Sequence, residues 1–582
     1  MPPALTLRLL VSLFASAFAG HAIALELKPV ELSGIDGELA ANVRSHLSID
    51  RLTPELRGNV SETRLSYLLS QAPTEVLQGL EPYGYYDAKV TPEVTRVGEQ
   101  VTVHLAIELG EPVKVRELKL AMLGPAKDDA AVAARVASFH PLPGELFHHS
   151  IYEGSKATVA RVLAQRGYFD AELEAHRVEV TRAEHAADID LSWNSGRRYV
   201  LGAVTFEGQQ LRPGVLDPLV PWEPGAEYDQ ARLLQLQKSL ADTDYFSAIS
   251  VVPEPDKAVD GQVPLKVLLV PAKRSIYNVG LRYGTDSGAG VAARMERRWI
   301  NDRGHKMVLD MNVAQFDSFL LAQYRVPAFG WLDGWYSYSA GFREEIIDEI
   351  TTQYVDVIAA RSGRWREWEL LAGLNFKRER SNTLDSDEYS YVSLVFPSLW
   401  GQWKQADDVN APQHARALTM MVRGGSTSLL SDVGFLQMLV EGRYIRGIGS
   451  GNRMLFRGEL GATASDDFSR LPPSMRFYAG GDKSIRGFDY QEIGVSEDGE
   501  IVGGKYLAVA SAEFEHMFTP VWGAAVFIDA GDAFDQDFVV HYGIGAGLRW
   551  RSPVGPVRVD LAHGFEQPEE GVRLHISIGP DL

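Results

Sequence analysis

Polar and apolar positions along this chain keep two different rhythms, and the change between them falls near Ser275. Beyond that point the period is two. Tyr277, Val279, Leu281 and Tyr283 alternate with Asn278, Gly280, Arg282 and Gly284; Tyr336, Tyr338, Ala340 and Phe342 alternate with Ser337, Ser339, Gly341 and Arg343. The same pattern returns in Trp368, Leu370, Ala372, Leu374 and Phe376, and in Ile544, Ala546, Leu548 and Trp550 against Gly543, Gly545, Gly547 and Arg549. Such alternation predicts strands with one apolar face. Sixteen are predicted, at 275–284, 290–299, 305–315, 318–326, 333–343, 350–361, 364–377, 388–397, 415–424, 433–446, 452–463, 505–515, 521–530, 541–551, 556–563 and 572–579. Apolar faces repeated strand after strand, backed by glycines and charges, suit a closed sheet in lipid, because a bilayer offers no partner to an unpaired backbone group and only helices and closed barrels pair every one. A soluble β-sandwich would have to hold the same aromatic faces in water. Residues 274–582 are therefore predicted to form an all-β, 16-stranded transmembrane β-barrel.

Before Ser275 the pattern mixes helix and strand. Leu233, Leu236 and Leu240 recur at helical spacing, and "KATVARVLAQRGYF" repeats the motif further upstream. Three related phrases mark the rhythm: "YGYYDA" at 83–88, "RGYFDA" at 166–171 and "TDYFSA" at 243–248, which align Tyr85, Tyr168 and Tyr245. Each follows a helical stretch and precedes two alternating strands. Each copy also opens on a strand, "PVKVRELKLAMLG" in the second and "RYVLGAVTFEG" in the third. The unit is β-α-α-β-β, roughly 80 residues long, which makes a string of small domains rather than a tightly nested solenoid. The aromatic pair stands where the second helix hands over to a strand, a position that predicts packing beneath the sheet. The copies are assigned to 25–110, 111–196 and 197–273.

The first 24 residues, "MPPALTLRLLVSLFASAFAGHAIA", carry one Arg, a short apolar run and small residues at the end, and read as a cleaved export signal. With 57 basic against 77 acidic residues and a net charge of −20, the chain has no basic run for nucleic acid. It has no cysteine, which removes disulfides and thiolate chemistry, and its 14 histidines form neither HExxH nor another ligand spacing. GxSxG is absent too. "GAGVAA" at 288–293 imitates a dinucleotide loop but sits in an alternating strand. No catalytic residue, cofactor or metal site is expected.

The repeated β-α-α-β-β order resembles the polypeptide-transport-associated (POTRA) domain, here in three periplasmic copies. A second resemblance lies in the long gap at about 465–504, which holds "YAGGDKSIRGFDY". Ile485, Arg486, Gly487 and Phe488 match the [V/I]RG[F/Y] motif of the outer-membrane assembly superfamily that contains BamA, TamA and the two-partner secretion transporters. That resemblance implies an inward-folded loop whose Arg486 meets an acidic residue of an F-x-D-x-G strand on the lumen wall. Here that strand is Phe527, Asp529 and Gly531, with Glu513 as a further neighbour. Period two sets all three on one face, and a buried Arg–carboxylate pair costs typically ~3–5 kcal/mol to break by removing one partner. Three repeats and the ending "GPDL" are similar to the TamA branch of the superfamily.

Pro580 has no amide hydrogen and Gly579 is flexible, so pairing between Ile576 and Ile578 on the last strand and Tyr277, Val279 and Leu281 on the first is expected to be short. A weak seam offers an edge to an incoming strand. The resemblance then implies a translocation and assembly subunit that inserts or secretes outer-membrane proteins such as autotransporters. It also implies a TamB-like partner anchored in the inner membrane and a link to phospholipid transport. A passive porin or uptake receptor is the alternative.

Overall fold

The computed structural model describes residues 25–330, 334–347, 350–382, 389–408, 411–449, 451–497, 499–552, 555–565 and 571–578. The expected export signal, residues 1–24, and the residues Gly579 and Pro580 fall outside these.

In the first repeat, strand Gln100–Glu108 is central. Lys89–Val97 pairs antiparallel on one side, and two short parallel pieces, Glu26–Leu27 and Glu31–Ser33, lie on the other. Pro29, between the pieces, has no amide to give the ladder. Helix Glu62–Leu80 is capped by Ser61, whose hydroxyl accepts from the Arg64 amide, and buries Leu65, Leu68, Ala72, Val76 and Leu80 on one stripe. The second repeat copies the plan: strand Ala186–Asn194 lies between Lys114–Leu123 and Glu172–Thr181, under helices Ala130–Ala137 and His149–Gln165.

The third repeat departs from the expected order. Its sheet is Val200–Glu207, Gln262–Pro271 and Phe246–Pro253, but only one α-helix, Gln230–Ala241, is present. The first helix is reduced to a 3-10 turn, Asp217–Leu219. Pro213, Pro218, Pro221 and Pro224 crowd this stretch, and each removes an amide donor and blocks the turn before it.

The repeated aromatic phrase joins neighbouring repeats. Tyr168 is buried in the core of its own repeat, and Tyr85 packs against that of the first. In the first two copies the second ring of the pair reaches forward. Tyr86 joins the core of the second repeat and hydrogen-bonds His149 Nε2 at 2.6 Å, while Phe169 meets Tyr199 and Tyr228 of the third at ring separations of 5.5 and 4.8 Å. In the last copy the first ring makes the forward contact. Tyr245 is fully buried, its hydroxyl donates to the Gly304 carbonyl, and its ring lies 6.2 Å from that of Trp335.

In the remaining chain sixteen strands make one sheet in sequence order, and Ser496–Glu497 with Glu500–Ile501 form a separate two-stranded ribbon. The sixteen are Ser275–Gly284, Gly288–Arg297, Lys306–Ala314, Asp317–Pro327, Gly334–Ile347, Ile350–Trp365, Trp368–Asn382 and Ser390–Ala406, then His414–Gly425, Phe435–Ile448, Asn452–Ser465, Tyr506–Met517, Trp522–Phe534, His541–Ser552, Gly555–Gly564 and Val572–Ile578. Every sequential pair is antiparallel. The "GAGVAA" stretch is inside the second strand. The eighth runs past the expected end at Pro397 to Ala406, with Leu374 facing that proline across the ladder. Faces alternate as the period requires: Leu281 is 88% exposed, whereas Asp529 is wholly buried. No helix among the described residues is long and apolar enough to cross a membrane.

Candidate functional site: the inward loop and the barrel seam

The long segment between the eleventh strand (Asn452–Ser465) and the twelfth (Tyr506–Met517) folds against the inner wall. Two 3-10 turns, Phe468–Arg470 and Pro473–Met475, begin it, and the bridges Phe477 to Gly504 and Ala479 to Ile493 narrow it into a finger. An apolar base of Phe477, Ala479, Ile485, Phe488 and Ile493 packs on Leu507, Val509 and Ala533 of the wall. Leu471 and Met475 pack on Leu394, Phe396, Val433 and Phe435. Polar contacts cross to other parts of the cylinder: Ser474 donates through amide and hydroxyl to Glu379 of the seventh strand, and Tyr490 Oη donates to Glu345 of the fifth at 3.1 Å.

The tip carries Arg486, which the fold brings to Asp529 as a forked pair. Nε donates to Oδ2 at 2.7 Å and Nη2 to Oδ1 at 3.0 Å, and the Arg486 amide adds a third bond to Oδ2 at 3.1 Å. The guanidinium lies 3.3 Å from the Phe527 ring centroid, so cation and π face stack. Glu513 is also in place, accepting from Nη1 at 2.8 Å. Four further members of the network were not expected from the sequence. Asp560 accepts from Arg486 Nη1 at 2.9 Å, and Arg549 binds Glu513 at 2.6 Å, Glu515 at 3.0 Å and Asp560. Arg453 closes the chain on Glu515. These groups are all at most 8% exposed by side chain, so their ion pairs act with little screening by water. The site is a buried network rather than one pair.

The fourteenth strand (His541–Ser552) makes room for it. A Cβ at Gly543 would stand 1.8 Å from the Arg486 carbonyl oxygen, and one at Gly547 would stand 1.8 Å from Asp560 Oδ1. The glycine face read as the polar side of an alternating strand is thus a trough for the loop tip. Gly487, at φ +99°, turns the tip there, and its amide donates to His575 Nε2 at 2.9 Å. Phe488 is buried, edge-on to the His541 ring at 5.8 Å. Gly531 shares the face of Asp529 but meets Ala508 and Val509 of the twelfth strand, not the loop.

The seam lies between the first strand and the last. Among the described residues no ladder joins them; the sheet runs from one to the other only the long way round. Ile576 and Ile578 pair with Val559 and Val557 of the fifteenth strand. Toward the first strand, the Ile576 amide reaches Thr285 Oγ1 at 3.4 Å. Continued antiparallel from that contact, Ile578 falls across from Arg282 or Tyr283, and the stretch from Ser275 to Leu281 faces no described residue of the last strand. Both faces of residues 277–283 are exposed, Tyr277, Val279 and Leu281 on one and Asn278, Gly280 and Arg282 on the other.

Comparison with known proteins places these features. A family model described as the Omp85 superfamily domain matches residues 398–581. One for POTRA domain 1 of TamA matches 29–109, and a POTRA model described as a surface antigen variable number repeat matches 199–271. The chain is similar to the outer membrane protein assembly factor BamA of Nitratidesulfovibrio vulgaris, at 23% identity over 511 residues, covering 84% of this chain and 64% of that protein. It thus spans less than two thirds of that relative. In fold it is similar to BamA from Haemophilus ducreyi lacking POTRA domains 1-3, with a TM-score of 0.68 at 16% identity over 80% of this chain and 99% of the other. CdiB from Escherichia coli aligns over 88% of this chain and 96% of its own with a TM-score of 0.48 at 14% identity.

Proposed function

The chain belongs to the Omp85 superfamily, with a barrel in the outer membrane and POTRA domains in the periplasm, and from that premise we propose that it inserts or secretes outer-membrane proteins through the seam between its first and last strands. The observation that carries this is the first strand itself: among the described residues, 275–281 are ladder-bonded on one edge only, and from Tyr277 onward they are exposed on both faces. An unpaired edge in a membrane wall leaves amides and carbonyls unsatisfied, at a cost of several kcal/mol each in hydrocarbon. A client strand relieves that cost by β-augmentation. The client folds onto the edge, and its own pairing supplies the driving force.

The finer assignment, a TamA-type translocation and assembly subunit, is supported by the TamA-type match over 29–109 and by three repeats ahead of one barrel. It carries with it autotransporter-like clients, a TamB-like inner-membrane-anchored partner and a role in moving phospholipid to the outer membrane. Against a passive porin stands the finger, which crosses the lumen to the fifth, seventh, thirteenth and fifteenth strands.

The test is a tether. In a chain without cysteine, Tyr283→Cys with Ile578→Cys, both exposed on the lipid face, links first strand to last under oxidation. Client insertion into vesicles should stop on oxidation and return on reduction. Full insertion by the quantitatively tethered barrel contradicts the proposal.

A further inference from the structure

Three residues from three separate segments meet at the outer end of the seam. Thr285 follows the first strand, Asp482 is on the inward finger and His575 is on the last strand. Thr285 Oγ1 donates to Asp482 Oδ1 at 2.8 Å, and His575 Nδ1 lies 2.7 Å from the same oxygen. The Asp482 amide donates to Asp286 Oδ2 at 3.1 Å. Gly481, at φ +96°, lets the finger approach so closely that a Cβ there would stand 3.0 Å from Asp286 Oδ2. The His575 and Asp482 side chains are only 5% and 8% exposed.

The direction of each bond follows from the donors. Gly487 N–H points at His575 Nε2, so Nε2 is the acceptor, the ring proton sits on Nδ1, and Nδ1–H donates to Asp482. Asp286, Asp482 and His575 also bring one ligand atom each within 4.8 Å of one another, a spacing that suits a cation. The imidazole argues against one. A metal on Nδ1 would drive the proton to Nε2, against the Gly487 amide hydrogen, and would remove a bond that holds the loop tip.

We propose that Asp482 is a clasp: seated with the finger, it ties the turn after the first strand to the last strand, so that withdrawal of the finger and release of the seam are one event. This rests on the reading of the seam as the route for clients. Across the seam, strand-to-strand contact is otherwise the single 3.4 Å approach of Ile576 to Thr285 among the described hydrogen bonds. The clasp joins the same two segments through two bonds to one carboxylate, and bonds to a charged acceptor out of water are stronger than neutral ones. His575 adds the coupling, since one ring holds both Asp482 and the backbone of the Arg486 tip.

Spin labels at Leu281→Cys and Leu574→Cys, both on the lipid face, report the seam width by pulsed EPR in nanodiscs. Asp482→Ala should raise the wide-distance population about tenfold, equal to ~1.4 kcal/mol. His575→Phe should do the same. His575→Asn, whose carboxamide can still donate to Asp482, should stay closer to wild type. Migration as a folded barrel on unheated gels verifies each variant, and Thr285→Val, which deletes one hydroxyl, replaces any that does not fold, with an expected rise of about threefold. Unchanged distances in folded Asp482→Ala or Thr285→Val overturn the clasp. So does widening of the wild type by a chelator, which would mean a bridging cation. A seam that widens while client insertion stays at the wild-type rate leaves the clasp standing and contradicts the proposed route instead.

Discussion

Removing the arginine at the finger tip tests the network most sharply, because the geometry distinguishes it from a simple pair. Arg486→Ala deletes four side-chain hydrogen bonds to three carboxylates. Asp529 keeps Ser511 Oγ at 2.5 Å and the backbone amide of residue 486, while Glu513 and Asp560 fall back on Arg549. Stripping a buried anion of its cation costs about 3–5 kcal/mol. Asp529→Ala is milder, since Arg486 retains Glu513 and Asp560, and the loss is that of charge-assisted bonds, about 1.5–3 kcal/mol. Amide hydrogen exchange across residues 477–493 reads finger opening directly. At tenfold per 1.4 kcal/mol, Arg486→Ala should speed exchange by roughly a hundredfold or more and Asp529→Ala by roughly tenfold. An isolated pair would also be rescued by exchanging the two residues. Here Arg486→Asp with Asp529→Arg sets the new carboxylate among Glu513 and Asp560, and no rescue is expected. Equal effects of the two single changes, with recovery in the exchange, would refute the network.

Other outcomes follow from the same contacts. Gly543→Ala should expel the finger tip, since its Cβ would overlap the Arg486 carbonyl oxygen at 1.8 Å, and protease cleavage within 477–493 should rise to the level of Arg486→Ala. Burial and the facing Asp482 carboxylate push the Asp286 carboxyl up from 3.8 to about 6, against the hydrogen bond it accepts from the Asp482 amide and the Lys483 charge. Between those pH values the folded form holds the extra proton, so this group's contribution is complete below about 4 and is lost as pH rises through about 6. Relative to Asp286→Asn, wild type should therefore lose urea resistance from pH 4.5 to 7; a pH-independent difference contradicts the assignment. Phe169→Ala removes the half-buried ring that meets Tyr199 and Tyr228, and the loss of two aromatic pairs should lower the unfolding free energy of the periplasmic segment by about 1–3 kcal/mol, measured by urea titration.

The barrel was legible because a strand with one lipid face must alternate, and each of the sixteen predicted segments coincides with a strand. Its ends were less so: Pro397 looked like a stop, yet the ladder continues past it to Ala406. In the third repeat four prolines overrode the helix expected from the other copies. At the site, parity set Phe527, Asp529 and Gly531 on one face, whereas Arg486 and Glu513 came from the resemblance of the loop motif. Parity says nothing about height, which is set by strand register and tilt. Asp560 faces Gly547, and Asp529 faces Gly543, only once the ladders are fixed. Inward charges on neighbouring strands, Arg549, Asp560 and His575, were the available signal. The clasp had none beyond that, since Thr285, Asp482 and His575 are joined by the closure of the whole cylinder.

The most direct test of the account is a cysteine scan of the first strand, residues 275–284, against the terminal strand of a client caught during insertion. Disulfides should form in a regular strand-pairing register, strongest between Tyr277 and Leu281, where the edge faces no described residue of the last strand. A client that inserts at full rate without touching any of these positions would contradict it.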